Sequence, residues 1–209
     1  MTDVRYLVTI GPDYGAECPN DWEQVLKVVS FNPRHRDHRD ASNVEMFKSR
    51  ADAYASDGMP IGTIDGDPIV YLLDCFEHGA IRWYRATGRD YQFDPGGWDT
   101  SHNAGALILS PSYTAGGDSA DYWAGLTAAE REECADATLE EWNAWSNGEV
   151  YAVTIETNPE PVECDRGHDH IERELIDSCS GIYDVKDYVA EVIGLGLDDE
   201  HVTVKEVWQ

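Results

Sequence analysis

The residues best suited to chemistry lie in one short acidic stretch. Cys164, His168 and His170 are zinc-capable ligands, with Asp165 and Asp169 between them and Cys179 downstream. Their Cys-x3-His-x-His spacing matches neither a standard zinc finger nor a metallohydrolase motif, so the stretch reads as a polar loop. A metal-dependent hydrolase built on these three residues stands as an alternative function. Cys179 and His78 have the types of a nucleophile and its base, but no motif sets one beside the other. A free cysteine normally packs as a small apolar residue, so a buried Cys179 is expected. His35 and His38 sit within Arg34-His35-Arg36-Asp37-His38-Arg39, the only basic cluster in the chain. Those arginines oppose a bound cation and suit a solvated loop or an anion contact. Asp65-Gly66-Asp67 is too short for a calcium loop, which draws ligands from twelve residues, and reads as a tight turn. Trp98-Asp99 could form a recognition pair, although a packed Trp98 with Asp99 capping the next turn is the simpler expectation. No Gly-rich phosphate loop follows a strand. These patterns assign no catalytic residue, no metal and no cofactor.

Charge is the stronger signal. The 209 residues carry a formal net charge of −26, and its distribution is uneven. Residues 1–50 hold eight Asp/Glu against seven Lys/Arg, whereas residues 101–209 carry −19. A field of this sign repels nucleic acid and anionic membrane and attracts basic surfaces. The expected partner is a basic, nucleic-acid-binding host protein, with no nucleic acid bound directly and no membrane contact. The surface expected to meet it consists of Glu130, Glu132, Glu133, Asp136, Glu140, Glu141, Glu172, Glu174, Asp198, Asp199 and Glu200. Eleven Arg against four Lys, with abundant Asp and Glu, also fits a halophilic host, whose proteins carry acid on every face. No apolar run approaches 18 residues, and Met1-Thr2-Asp3-Val4-Arg5 does not open a signal segment. A cytoplasmic protein with five reduced cysteines is expected.

The elements that must position these residues follow from periodicity. Val4–Ile10 alternates as a half-buried strand. Asp21–Val29 fits a short helix or a strand. Ser42 with Glu45 has the form of a capping box and predicts a helix with Val44, Phe47, Ala51 and Tyr54 on its apolar stripe, ending before Gly58. Ile69–Phe76 and Ala80–Ala86 form a hairpin about Glu77-His78-Gly79. Gly105–Ser110 is apolar enough for a central strand, and Pro111–Gly125 reads as loop. Thr127 and Glu130 box the start of a helix that runs through Trp145 to a Gly148 stop. Cys134, Thr138, Trp142 and Trp145 lie on its less polar face, with Arg131 as the one cation among its acids. A strand at Glu149–Glu156 and an acidic loop at 158–169 follow. The chain then closes with a strand (Glu172–Cys179), a helix (Asp184–Ile193) and a strand (His201–Val207). The expected fold is a single α+β domain over residues 1–209, with a mainly antiparallel sheet and three to four flanking helices.

Five motifs occur in a fixed order. They are Pro19-Asn20-Asp21-Trp22, Glu77-His78-Gly79, Trp98-Asp99 ahead of Gly105-Ala106-Leu107-Ile108, Trp142–Asn147 running into Gly148-Glu149-Val150-Tyr151, and Asp177-Ser178-Cys179-Ser180-Gly181-Ile182-Tyr183. In these the chain resembles a family of proteins of unassigned activity encoded by bacteriophages and other mobile elements. It departs from that family in its scarcity of Lys and in Ser180, where a Trp is usual. The resemblance implies a viral or mobile-element origin and marks Trp22, Glu77, His78, Trp98, Asp99, Tyr151, Asp177 and Cys179 as motif positions. It implies no catalytic residue. With the charge, it leads to the expectation of an acidic DNA mimic that inhibits a host defence enzyme of restriction or CRISPR type.

Overall fold

The structure is a computed structural model, and it describes residues 4–46, 56–86, 94, 96–110, 119–157, 162–163, 169–170 and 173–207. The chain forms two compact units. Residues Cys18–Asn147 make an inserted unit, and Met1–Glu17 with Gly148–Gln209 make a terminal unit. The α+β class and the dominance of antiparallel pairing are as the sequence predicts.

In the inserted unit, β2 (Leu26–Ser30), β7 (Thr100–Leu109), β5 (Asp67–Glu77), β4 (Gly62–Ile64) and β3 (Val44–Met46) lie in that order, and β6 (Ile81–Arg85) also pairs with β5. Every pairing is antiparallel. Side chains alternate across a sheet, so the apolar runs of β2, β5 and β7 feed two cores. Val28, Leu73, Leu107 and Leu109 enter one with Trp83, Trp123, Leu139 and Trp142. Val29, Ile69, Leu72, Ala106 and Ile108 enter the other with Ile61 and Ile64. Gly105 leads the apolar run of β7 because a Cβ there would lie 2.3 Å from the Val29 carbonyl oxygen and 2.7 Å from the Trp83 ring. The expected turn at Asp65-Gly66 joins β4 to β5, with both residues at positive φ.

Helices α1 (Ser119–Gly125) and α2 (Ala128–Ser146) complete this unit. Thr127 and Glu130 form the expected capping box, and Gly148 follows the Asn147 cap at positive φ. Three expectations are corrected here. The Ser42–Glu45 pattern does not open a helix: Asp40 caps a single 3-10 turn at Ala41–Asn43, and Val44 enters β3 as the antiparallel partner of Ile64. Phe47, Ala51 and Tyr54 lie outside the described residues. The stretch read as loop up to Gly125 contains α1, held by Trp123, which is buried and donates its indole N–H to the Gly58 carbonyl. Arg131 does not offset its acidic neighbours. It is only 8% exposed, and its guanidinium donates to the carbonyls of Trp123 (3.2 Å), Asp57 (3.2 Å) and Leu126 (2.6 Å).

In the terminal unit the strand order is β11 (Leu175–Ile182), β8 (Tyr151–Thr157), β1 (Tyr6–Pro12), β12 (Val202–Glu206). β1 runs parallel to β12, and the other pairs are antiparallel. Helix α3 (Val185–Ile193) supplies Val189 to a core with Val8, Ile10, Val153 and Ile155. Asp184 caps it, accepting from the N–H groups of Lys186 and Asp187, and Gly194 closes it at φ 72°. β9 (Val162–Glu163) and β10 (Asp169–His170) pair as a short separate ribbon.

Candidate functional site

Both outer strands of the inserted sheet that flank α2 are covered by asparagine carboxamides. A strand edge presents unpaired N–H and C=O groups two residues apart, about 6.6 Å, while helix positions i and i+4 are about 6 Å apart. Asn143 and Asn147 on α2 match that spacing. Asn143 accepts from the Trp83 N–H (2.7 Å) and donates to its carbonyl (3.0 Å); Asn147 does the same at Ile81 (2.9 and 2.8 Å). Asn20, in the first motif, grips β2 likewise at Val28 (3.0 and 2.7 Å). The clamp on β6 brings Trp142 and Trp145 to Trp83.

The third wall is the basic loop that follows β2. The Ser30 hydroxyl lies 2.7 Å from His35 Nδ1 and accepts from the Asn32 N–H, and His35 Nε2 lies 2.7 Å from Glu77 Oε1. With the Asn32 N–H on one lone pair of Ser30, the hydroxyl proton can point to Nδ1 and the imidazole can donate from Nε2 to Glu77. This hydroxyl–imidazole–carboxylate chain has the composition of a nucleophile relay. Ser30 is only 1% exposed, however, and what the chain visibly does is fix the His35 ring edge-on to Trp83 at 5.5 Å.

These parts enclose a cavity of about 220 Å³ lined by Ser30, Arg34, His35, Ile81, the three indoles and Ser146, with Arg36 above. Its walls are mainly apolar. The Trp142 and Trp145 rings are tilted by 42° at 5.3 Å, and the Arg36 guanidinium lies 5.7 Å over the Trp145 ring while bonding Asp21 at 2.7 Å. Arg34 is exposed and has no acidic partner among the described residues. Trp142 is 5% exposed, and its buried Nε1 has no hydrogen-bond partner among the described residues. Glu77, Gly105 and the Trp142–Asn147 stretch, drawn from three separate motifs, all serve this one place. Periodicity shows that Trp142 and Trp145 share a helix face, but only tertiary pairing shows that Asn143 and Asn147 grip β6.

The acidic residues divide between the two units. On α2, Glu130 is used in the capping box, and the Thr127 N–H and hydroxyl hold its carboxyl below the ordinary value. Glu132 and Asp136 flank Arg85, and Asp136 takes it bidentately (2.9 and 3.1 Å). Glu141 is half-buried and burial raises its carboxyl, leaving Glu133 and Glu140 as exposed acids. In the terminal unit Glu174, Asp198 and Glu200 are exposed, and Asp199 accepts from the His201 ring at 2.8 Å. Glu172 lies outside the described residues. The structure adds a set the sequence reading passed over: Asp184, Asp187 and Glu191, exposed at i, i+3 and i+7 on α3 opposite its apolar face. That spacing was readable beside Val185, Tyr188, Val189 and Val192.

The remaining motif residues separate. Trp98 is not packed but 89% exposed, because Asp94 rather than Asp99 organises that turn, accepting from the Asp99 N–H (2.7 Å) and the Thr100 hydroxyl (3.2 Å). Asp99 instead meets His78 at 3.1 Å. Trp22 is half-buried, as is Tyr151 beside the terminal core. Asp177 accepts from the Tyr188 hydroxyl (3.0 Å); burial first, then that bond, pushes the phenol up to about 12. Cys179 is exposed rather than buried, since β11 is the outer strand of its sheet. It falls in a different unit from His78. His38 is exposed beside Arg39, whose guanidinium bonds Asp67. Cys164 and His168 lie outside the described residues; the His170 backbone pairs with Val162 in the short ribbon. Among the described residues no three His, Cys, Asp or Glu side chains are grouped to hold a metal.

No protein-family model matches the chain, and no match was found among curated proteins or solved structures. No helix among the described residues is long and apolar enough to cross a membrane.

Proposed function

We propose that the chain is an accessory protein of a bacteriophage or mobile element that occupies the nucleic-acid groove of a host defence enzyme, of restriction or CRISPR-nuclease type, without turnover. One observation carries this reading: the terminal unit holds nineteen Asp/Glu against five Lys/Arg, a net −14 on 79 residues. The larger inserted unit carries −12 on 130. Duplex DNA presents one charge per ~1.7 Å of axis, so fourteen charges correspond to roughly 24 Å of duplex. A 79-residue unit is about 30 Å across. The charge per length is thus of the order that a cationic groove is built to receive. The acids at the start and along the exposed face of α3, Asp184, Asp187 and Glu191, repeat at rises of about 4.5 and 6 Å along its axis.

The test is displacement of a labelled duplex from a panel of purified restriction endonucleases and RNA-guided nucleases. An inhibited enzyme should release the duplex, with apparent affinity falling at least about ten-fold between 50 and 200 mM salt. Asp187→Asn, Glu191→Gln, Asp198→Asn and Glu200→Gln combined should weaken displacement further. Displacement indifferent to both salt and these changes contradicts charge mimicry.

A further inference from the structure

We propose that the cavity formed by β6, the 31–39 loop and the last turn of α2 binds a nucleoside monophosphate, with the base among Trp83, Trp142 and Trp145 and the phosphate on Arg34. The inference is independent of the acidic surface, since every lining residue belongs to the inserted unit.

Shape and lining come first. About 220 Å³ with mainly apolar walls is below the size of most drug-like sites, and it suits a flat ring rather than an extended chain. Indole walls stack with any base, at about 1–3 kcal/mol per base in known sites.

Charge then selects among aromatic-site ligands. A cluster of three indoles also suits a quaternary ammonium. Here Arg34, Arg36 and His35 line the same opening and oppose a cation. Arg36 is already held by Asp21, so Arg34, which has no acidic partner among the described residues, is the group left to receive an anion. A guanidinium suits phosphate through its paired N–H donors. A polynucleotide is disfavoured, because a chain of net −26 repels an extended polyanion, whereas one phosphate meets the local field of Arg34. The Ser30–His35–Glu77 chain holds the imidazole in place as a wall, so the opening is preorganised.

The test is isothermal titration of the full chain at low salt with AMP, GMP, CMP and UMP. The matching nucleoside, inorganic phosphate, tetramethylammonium and a single-stranded 12-mer serve as comparisons. At least one monophosphate should bind with a Kd below about 1 mM, and its nucleoside about ten-fold more weakly. Arg34→Glu is an exposed change whose folding is checked by near-UV circular dichroism. It should lower nucleotide affinity by about ten-fold or more and leave the nucleoside unchanged. Trp145→Leu should weaken both. The proposal is overturned if no monophosphate saturates, if Arg34→Glu binds the nucleotide as the wild type does, or if phosphate, the ammonium or the 12-mer binds as tightly as the nucleotide.

Discussion

Arg131 is a cation whose hydrogen bonds, among the described residues, go to three backbone carbonyls and not to a carboxylate, although Glu130, Glu132 and Glu133 surround it in sequence. Its five donors in a fixed fork can tie the Asp57 segment to the end of α1 and the start of α2, a task that Lys, with one ammonium, cannot reproduce. Gly58 completes the junction: a Cβ there would lie 2.6 Å from the Tyr71 hydroxyl and 3.0 Å from the Arg131 side chain. Arg131→Met should therefore cost about 2–4 kcal/mol, chiefly by leaving buried carbonyls unpaired. Arg131→Lys should recover less than half of that, read from urea midpoints at constant m. A loss below 0.5 kcal/mol would mean that water replaces the guanidinium. The position was open to a periodicity reading, since residues 131, 135, 138, 139 and 142 form one buried face of α2. Charge type pointed outward, and the helical period was the better guide. At Trp98 the opposite happened: an aromatic type suggested burial, and the Asp94-centred turn leaves it in solvent.

Carboxamide clamps are the recurring device at the scale of elements. Exposed strand edges invite pairing with other chains, and Asn143, Asn147 and Asn20 cover them without adding strands. Asn143→Ala should cost about 1–3 kcal/mol, because the Trp83 N–H and C=O lose their partners where Trp83 also carries core packing. Asn143→Asp should fall between, since a carboxylate can accept from the N–H but cannot donate to the carbonyl. Chemical denaturation of the two variants checks the order; equal stability of Asp and Asn would mean that only the N–H contact matters. Elements with a strong local pattern were legible. The alternation of β1, the hairpin of β5 and β6, the apolar run of β7, the Thr127 box and the β11–α3–β12 sequence are all where residue types place them. β3 was misread because Ser42 and Glu45 satisfy the form of a capping box while Asp40 captures the Ser42 N–H first and Val44 pairs with Ile64. The cavity was not legible for a related reason. Its walls come from residues 30, 35, 81, 83 and 142, and only the antiparallel pairings of β2, β5, β6 and β7 bring those positions to one place.

The whole chain is organised as one unit inserted into another. Pro12 lies opposite Tyr151, and the Asp13 N–H donates to the Val150 carbonyl at 2.8 Å, so β1 and β8 are hairpin partners separated in sequence by the inserted unit. Joining Glu17 directly to Gly148 would leave six residues, Tyr14–Glu17 with Gly148 and Glu149, between the last paired positions. That is close to the usual hairpin connection of about two to five. The terminal core of Val8, Ile10, Val153, Ile155 and Val189 draws only on residues that such a shortened chain retains. It should therefore fold, with an unfolding free energy of about 2–4 kcal/mol, as expected of a small single core. Its −14 charge should make that stability salt-dependent, rising between about 10 mM and 150 mM as the Debye length falls from ~30 to ~8 Å, then levelling. Continued stabilisation into molar salt would instead mark a salt-adapted surface. Circular dichroism melts across that series, with amide dispersion as the check on folding, decide between them. If the 79-residue chain is unfolded at every salt concentration, the β1–β8 pairing depends on the inserted unit. If it folds and still displaces duplex from the same enzyme, the acidic surface acts without the tryptophan cavity, and the two sites belong to separable parts of the chain.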